Sequence, residues 1–404
     1  MRGVRVAALP RFVLLYGALF AGFGAASPFL PSLLQERGLG PNGIAVALAC
    51  GTAIRLLAGP AGCRLADRLG LRRQVLTVLT AGAAAVGLGY LLPGGFAVLL
   101  LVSVLHAAIL APMVPLADAL AVGAVPRRYG WVRGAGSAAF ILGSNAAGQA
   151  VAEFGLPSFV FLNAGLVALA ALAALAVPDA IAEPAPPGPA GSPLALLRLP
   201  GFVRLMLVAA LIQGSHAMHD GFEVLRWTAA GIGPATESIL WSEGVLAEVV
   251  VFILIGPPLL RRIGPRGAAL LAAGAGMVRW GVTAVTASVP AMALVEPLHG
   301  LTFALLHLAV MKMLADIVPP PLAATAQAAY ATIAVGAMAA LMTLASGPLY
   351  GQFGAGAFWA MAALCALAVP VAAGLRARRR AGAHAAAAVL TLLFLAGTIA
   401  PCRL

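Results

Sequence analysis

The chain has 404 residues, of which 62% are hydrophobic and only 9% charged, with a mean hydropathy of +1.01. A water-soluble domain carries roughly 25% charged residues, so a soluble enzyme or binding module is excluded. The net charge of +12 would suit a nucleic-acid binder, but all except one of the 25 basic residues are arginine, and they cluster in short loops between apolar runs.

Apolar runs long enough to cross roughly 30 Å of hydrocarbon recur along the chain, and lipid requires each to be a helix with its backbone bonds satisfied internally. Read against their breakers, they predict an all-α membrane protein with spans at 10–34, 43–63, 74–93, 96–122, 131–151 and 156–177. Six more follow at 202–230, 236–259, 267–287, 290–314, 322–346 and 355–375. The predicted organisation is a six-helix bundle over 1–177, a Pro-rich linker over 178–201, a second bundle over 202–380 and a tail over 381–404. That tail holds a short, Ala-rich apolar run at 385–400, an extra segment whose place in the membrane the sequence leaves open.

Cytoplasmic loops hold an excess of positive charge. Arg2, Arg5, Arg11, Arg64, Arg68, Arg72, Arg73, Arg127, Arg128, Arg198, Arg204, Arg261, Arg262, Arg266, Lys312 and the run Arg376 to Arg380 all fall on one side, against Arg37 and Arg226 on the other. This predicts that both ends of the twelve-helix core are cytoplasmic, in a bacterial inner membrane.

The halves echo one another. Arg68-Leu-Gly-Leu-Arg72 joins spans 2 and 3, and Arg262-Ile-Gly-Pro-Arg266 joins spans 8 and 9, 194 residues later. Two parallel six-helix repeats joined by a loose linker suit a carrier that rocks around a site held midway between them. In the first loop, Asp67, Arg68, Gly70 and Arg72 form a candidate gating motif, with Asp67 free to pair with a neighbouring helix end.

An ionisable side chain within a span costs at least ~2.5–3.5 kcal/mol, which marks it as a functional candidate. Asp118 near the end of span 4 and Arg133 at the start of span 5 are joined by a short turn. Either they form a structural ion pair, or Arg133 is a forked donor for a substrate carboxylate or hydroxyl with Asp118 holding it. Glu248 in span 8, Arg279 in span 9, and Glu296 with His299 three residues on in span 10 make a candidate proton site. Span 7 carries Gln213, His216, Asp220 and Glu223 three and four apart, with His219 between them, a stripe expected to face a wet cavity. The four cysteines, Cys50, Cys63, Cys365 and Cys402, show no paired or metal-ligand spacing, and no metal or other cofactor is expected. The lone lysine, Lys312, is followed by Met313, so the chain holds no phosphate-binding Gly-Lys-Ser/Thr loop and a gradient is expected to drive transport unless a separate ATPase partner exists.

Several stretches resemble the phenylpropionate permease family of the major facilitator superfamily, a group akin to the lactose and nucleoside proton symporters. They are Asp67-Arg68-Leu-Gly70-Leu-Arg72-Arg73, Pro115-Leu-Ala-Asp118-Ala-Leu, Tyr129-Gly-Trp-Val-Arg133 with Gly136-Ser, Gln213-Gly-Ser-His216-Ala, Leu240-Trp241-Ser, Ala247-Glu248-Val, Val278-Arg279-Trp280-Gly, and His299-Gly-Leu-Thr-Phe leading to His307-Leu-Ala. The resemblance implies the major facilitator fold and import of an aromatic carboxylate such as 3-phenylpropionate together with a proton, by a monomeric, non-enzymatic carrier whose partners are substrate, protons and lipid. It implies substrate-binding roles for Asp118, Arg133, Gln213, His216 and Trp241, and proton-coupling roles for Glu248, Arg279, Glu296 and His299. In lactose permease, span 10 carries His before Glu, whereas here Glu296 precedes His299. The proton carrier is therefore open among Glu248, Glu296 and His299. A sugar or nucleoside symporter and a drug or metabolite efflux pump are the alternatives.

Overall fold

Glycine and proline punctuate the chain, and the helices begin and end where these residues leave them no choice. A computed structural model describes residues 2–179 and 193–375; the expectations for the linker between them and for the tail lie outside the described residues. The helices are α1 (Arg2–Ala26), α2 (Leu30–Glu36), α3 (Pro41–Leu69), α4 (Arg72–Gly87), α5 (Phe96–Leu110), α6 (Met113–Ala124), α7 (Tyr129–Phe154), α8 (Pro157–Ala176) and α9 (Pro193–Leu197). The second half holds α10 (Phe202–Gly214), α11 (Ala217–Ala229), α12 (Pro234–Val250), α13 (Gly256–Val285), α14 (Val289–Val295), α15 (Leu306–Ile317), α16 (Ala323–Ala329), α17 (Met338–Phe353) and α18 (Phe358–Ala373).

Eight continuous helical stretches are long and apolar enough to cross a membrane. Two of them, Pro234–Val285 with 52 residues and Pro320–Ala373 with 54, are far too long for one crossing, since at ~1.5 Å per residue each would measure about 80 Å. The first breaks at Gly264, whose φ of 68° and ψ of 171° are non-helical, and the second turns at Gly354, with φ 52°. With those two divided, and with α7 and the pair α10–α11 each long enough for one crossing, the described helices supply twelve.

The parallel repeat is visible in three dimensions. Gly70 ends α3 with φ 66°, and Leu71 N–H closes back on Ala66 O at 3.2 Å. Its counterpart in the second half, 194 residues later, is the positive-φ Gly264. A methyl group at Gly70 would meet nothing within 4 Å, so Gly70→Ala is expected to cost only the left-handed backbone penalty, about 1 kcal/mol. A small fall in melting temperature with the transport rate preserved is the outcome that checks this.

A second echo lies at the bundle ends. Arg11 of α1 donates to Ala176 O at the end of α8, at 3.1 Å, and Arg204 of α10 donates to Gly374 O just beyond α18. Each cation thus ties the first long helix of its half to the last helix's exposed carbonyl end, where the helix dipole favours positive charge.

Residues up to 179 form one compact unit with Gly221–Ser242, and 193–220 form another with 243–375. In the first, α1 packs chiefly on α7 and α8. A side chain at Gly143 would strike the Ala21 carbonyl, and one at Gly24 the Phe140 carbonyl, so reciprocal glycines set a backbone-to-backbone approach. Gly136 packs closely against Phe20, while Gly134 faces open space. In the second unit, α13 packs on α18 and α10 around Leu205, Val208, Ile212, Ala269 and Ala272.

Candidate functional site

Among the described residues, each unit holds a buried ionic cluster. In the second, the π-helical turn Val251–Ile255 follows Glu248, a 3-10 turn spans Glu296–Leu298, and a π-helical turn spans Gly300–Leu305 immediately after His299. Such departures from regular α-helix are common at functional sites. Glu296 and His299 converge on Arg279 of α13: Nη2 donates to Glu296 Oε2 at 2.6 Å, and Nη1 to His299 Nδ1 at 2.9 Å. The guanidinium also lies 4.4 Å from the Trp280 ring centroid. Arg279 and Glu296 are 0% and 1% exposed. His299 Nε2 lies 2.7 Å from Glu248 Oε1. All four residues predicted for proton coupling therefore meet.

Donor logic fixes more. A guanidinium only donates, so the His299 Nδ1 that receives it carries no hydrogen, and the neutral ring must hold its proton on Nε2, which donates to Glu248. His299 cannot become imidazolium without losing Arg279. Glu296 Oε2 accepts from Arg279 and lies 3.2 Å from His219 Nε2, which adds His219 to the cluster.

The expected polar stripe on span 7 is not a single helical face. α10 ends at Gly214, Ser215 and His216 form a turn, and α11 restarts at Ala217. Glycine–serine pairs are a recurrent cause of helix kinks. Ser215 turns inward to receive the Trp280 indole N–H at 2.8 Å. His216 uses both ring nitrogens, Nδ1 on Gln213 O at 3.2 Å and Nε2 on Thr302 Oγ1 at 2.9 Å. Gln213 is buried and bonds the Tyr330 hydroxyl, which also meets His307 Nδ1 at 3.3 Å. Glu223, expected at a wet face or outer rim, is fully buried.

In the first unit, Arg133 Nη1 lies 3.7 Å from Asp118 Oδ1. Asp118 is fully buried and receives the hydroxyl of Tyr16. Arg133 is 30% exposed, its guanidinium 5.2 Å from the centroid of Phe20. Its Nη1 is buried yet has no hydrogen-bond partner among the described residues. Tyr16 stacks on Phe20 at 5.8 Å, and Phe23 meets Phe20 edge-on at 5.7 Å. Trp241 is buried in α12 of the same unit. In the predicted gating loop, Asp67 pairs with Arg72 Nε at 2.7 Å, joining the end of α3 to the start of α4, while Arg68 is exposed.

Sequence reasoning missed Tyr16 and Phe20 and gave His219 no partner. Tyrosine and phenylalanine in an apolar helix carry no signal of their own. The polarity of His219 was visible, but its partner Glu296 is 77 residues away.

Residues 10–361 match the family model described as the MFS_1 like family. The chain is 34% identical over 360 residues to the probable 3-phenylpropionic acid transporter of Escherichia coli (strain K12), covering 86% of this chain and 92% of that protein. It is 27% identical over 373 residues to the maltose permease of Geobacillus stearothermophilus, covering 88% and 91%. Among solved structures, the nucleoside transporter NupG matches with a TM-score of 0.75 at 14% identity, covering 90% of this chain and 96% of that one. An auto-inhibited POT family peptide transporter matches at 0.68 and 13% identity, covering 93% and 99%. The chain belongs to the MFS_1-like family of the major facilitator superfamily and is a multi-pass membrane transporter rather than an enzyme.

Proposed function

We propose that the protein imports a small aromatic carboxylate, such as 3-phenylpropionate, together with protons by alternating access. We place it in the bacterial inner membrane as a monomer, with 1–177 and 202–380 as its two bundles and both ends of the core cytoplasmic. The observation that carries the substrate class is Arg133. A guanidinium 30% exposed, tethered through Nη1 to Asp118 and flanked by an aromatic ladder of Tyr16, Phe20 and Phe23, matches both ends of an aryl carboxylate. The similarity to a probable 3-phenylpropionic acid transporter supports the same class. Substrate-binding roles for Gln213, His216 and Trp241 rest on the family resemblance alone.

Glu248 carries the coupled proton in this reading. His299 is committed to Arg279 and Glu296 to two donors, which leaves Glu248, 23% exposed, as the group able to take and release a proton without dismantling the cluster. Asp67, Gly70 and Arg72, with Arg68 alongside, hold the loop that must flex as the first bundle moves.

The test is uptake of labelled 3-phenylpropionate into proteoliposomes with and without an inward proton gradient. Gradient-driven accumulation is expected, and Phe20→Leu is expected to weaken apparent affinity by up to about tenfold, the size of one lost aromatic contact. A sugar symporter is the second reading, favoured by the maltose permease similarity. Accumulation of maltose in place of the aryl acid would select it.

A further inference from the structure

The second unit's cluster extends beyond the four predicted residues. It forms an unbroken chain: Asp220 Oδ1 to His219 Nδ1 at 3.2 Å, His219 Nε2 to Glu296 Oε2 at 3.2 Å, Glu296 to Arg279 at 2.6 Å, Arg279 to His299 at 2.9 Å, and His299 to Glu248 at 2.7 Å. Both ends are carboxylates, and Asp220 is 65% exposed. The middle is sealed.

We propose that His219 with Asp220 forms a second proton-binding site, separate from Glu248, so that each transport cycle carries two protons. This rests on the proton-coupled reading above and specifies its stoichiometry.

Charge balance supplies the first reason. Asp220, Glu296 and Glu248 bring three negative charges against the single fixed positive charge of Arg279. Glu296 and Glu248 are largely buried, and Asp220, though 65% exposed, sets its carboxylate against the buried His219, so an excess of negative charge around that imidazole is costly. Two protons neutralise the excess, one on Glu248 and one on His219. As imidazolium, His219 donates Nδ1–H to Asp220 and Nε2–H to Glu296, satisfying both nitrogens with acceptors already in place.

Connectivity supplies the second. Arginine does not give up its proton in proteins, so Arg279 blocks any relay along the chain. Glu248 and His219 therefore load separately, one on each side of Arg279, and communicate only through charge. Two other histidines face them. His216, 5.0 Å from His299 by ring centroids, donates Nδ1–H to the Gln213 carbonyl and has Nε2 at 2.9 Å from the Thr302 hydroxyl. The His219 and His299 rings lie 6.4 Å apart, and His299 is held neutral by Arg279.

Two measurements test the proposal. Two protons with one monoanion move one net positive charge inward. At equal pH on both sides, a potential of ~100 mV, negative inside, should then raise 3-phenylpropionate accumulation by about 50-fold in the wild type. Asp220→Asn and His219→Gln should each lose that response, since either removes the second proton. Wild-type uptake indifferent to potential overturns the proposal, as does an unaltered response in both variants. The second measurement needs no substrate: infrared difference titration of the purified protein between about pH 5 and 10, wide enough to follow an imidazole held between two carboxylates. It should show one fewer bound proton in Asp220→Asn than in the wild type, and equal counts overturn the second site. Wild-type protein that takes up no 3-phenylpropionate yet shows the missing proton in Asp220→Asn supports the second site while removing the aryl-acid reading.

Discussion

Arg133→Ala is expected to weaken 3-phenylpropionate binding by about 100-fold or more, measured by equilibrium binding to the purified protein. Removing one partner of a desolvated, forked charge pair costs roughly 2–5 kcal/mol. Phe20, Tyr16 and Phe23 can still hold the aryl group, but nothing else described in that unit offers a cation to its carboxylate beside them. Arg133→Lys should not restore affinity, because an ammonium is a point charge and cannot fork across two oxygens. Arg133→Ala also strips buried Asp118 of its cation while leaving the Tyr16 hydroxyl in place, so stability falls as well, by an amount approaching 3 kcal/mol. The two effects separate in the double variant Arg133→Ala with Asp118→Asn, which should regain stability without regaining affinity. Folded Arg133→Ala protein with wild-type affinity would reduce the pair to a structural tie between α6 and α7.

Much of the fold was legible because membrane helices declare themselves by length and their ends by glycine. Gly70 and Gly264 were visible as loop residues of a parallel repeat, and both adopt positive φ. Arg11 and Arg204 were legible only as charges marking one side of the membrane. That each clamps the last helix of its half, at Ala176 and Gly374, depends on partners 165 and 170 residues away that no local pattern announces. The turn at Ser215 and His216 had a signal, the Gly214–Ser215 pair, but a continuous apolar run concealed it. The π-helical turns after Glu248 and His299 had none, since one extra residue in a helical turn leaves composition unchanged.

The sites divide in the same way. Charged residues in apolar runs stand out because insertion penalises them, so Asp118, Arg133, Glu248, Arg279, Glu296 and His299 were legible as candidates, and the structure places the first two together and the other four together. Their pairings were only partly legible. Arg279 holds Glu296 with one donor, and its second commits it to His299 and so fixes the tautomer whose Nε2–H donates to Glu248. No spacing rule carries that information, because it resides in the orientation of one guanidinium.

Glu248→Gln follows from that orientation and tests it. Glutamine keeps the shape and keeps an oxygen to accept His299 Nε2–H, so Arg279, Glu296 and the surrounding helices should stay in place and the melting temperature should hold. What is lost is the proton. Each coupled proton contributes about 1.4 kcal/mol per unit of pH gradient, so steady-state accumulation in proteoliposomes should fall about tenfold relative to wild type for each unit imposed. Exchange of external for internal substrate needs no net proton movement and should continue at a rate that no longer depends on the protonation of residue 248. The Arg133 variant gives the opposite pattern, losing exchange and accumulation together because it cannot bind. If Glu248→Gln accumulates substrate as steeply with pH as the wild type, the coupled proton is held elsewhere, and the commitment of His299 to Arg279 must break during the transport cycle.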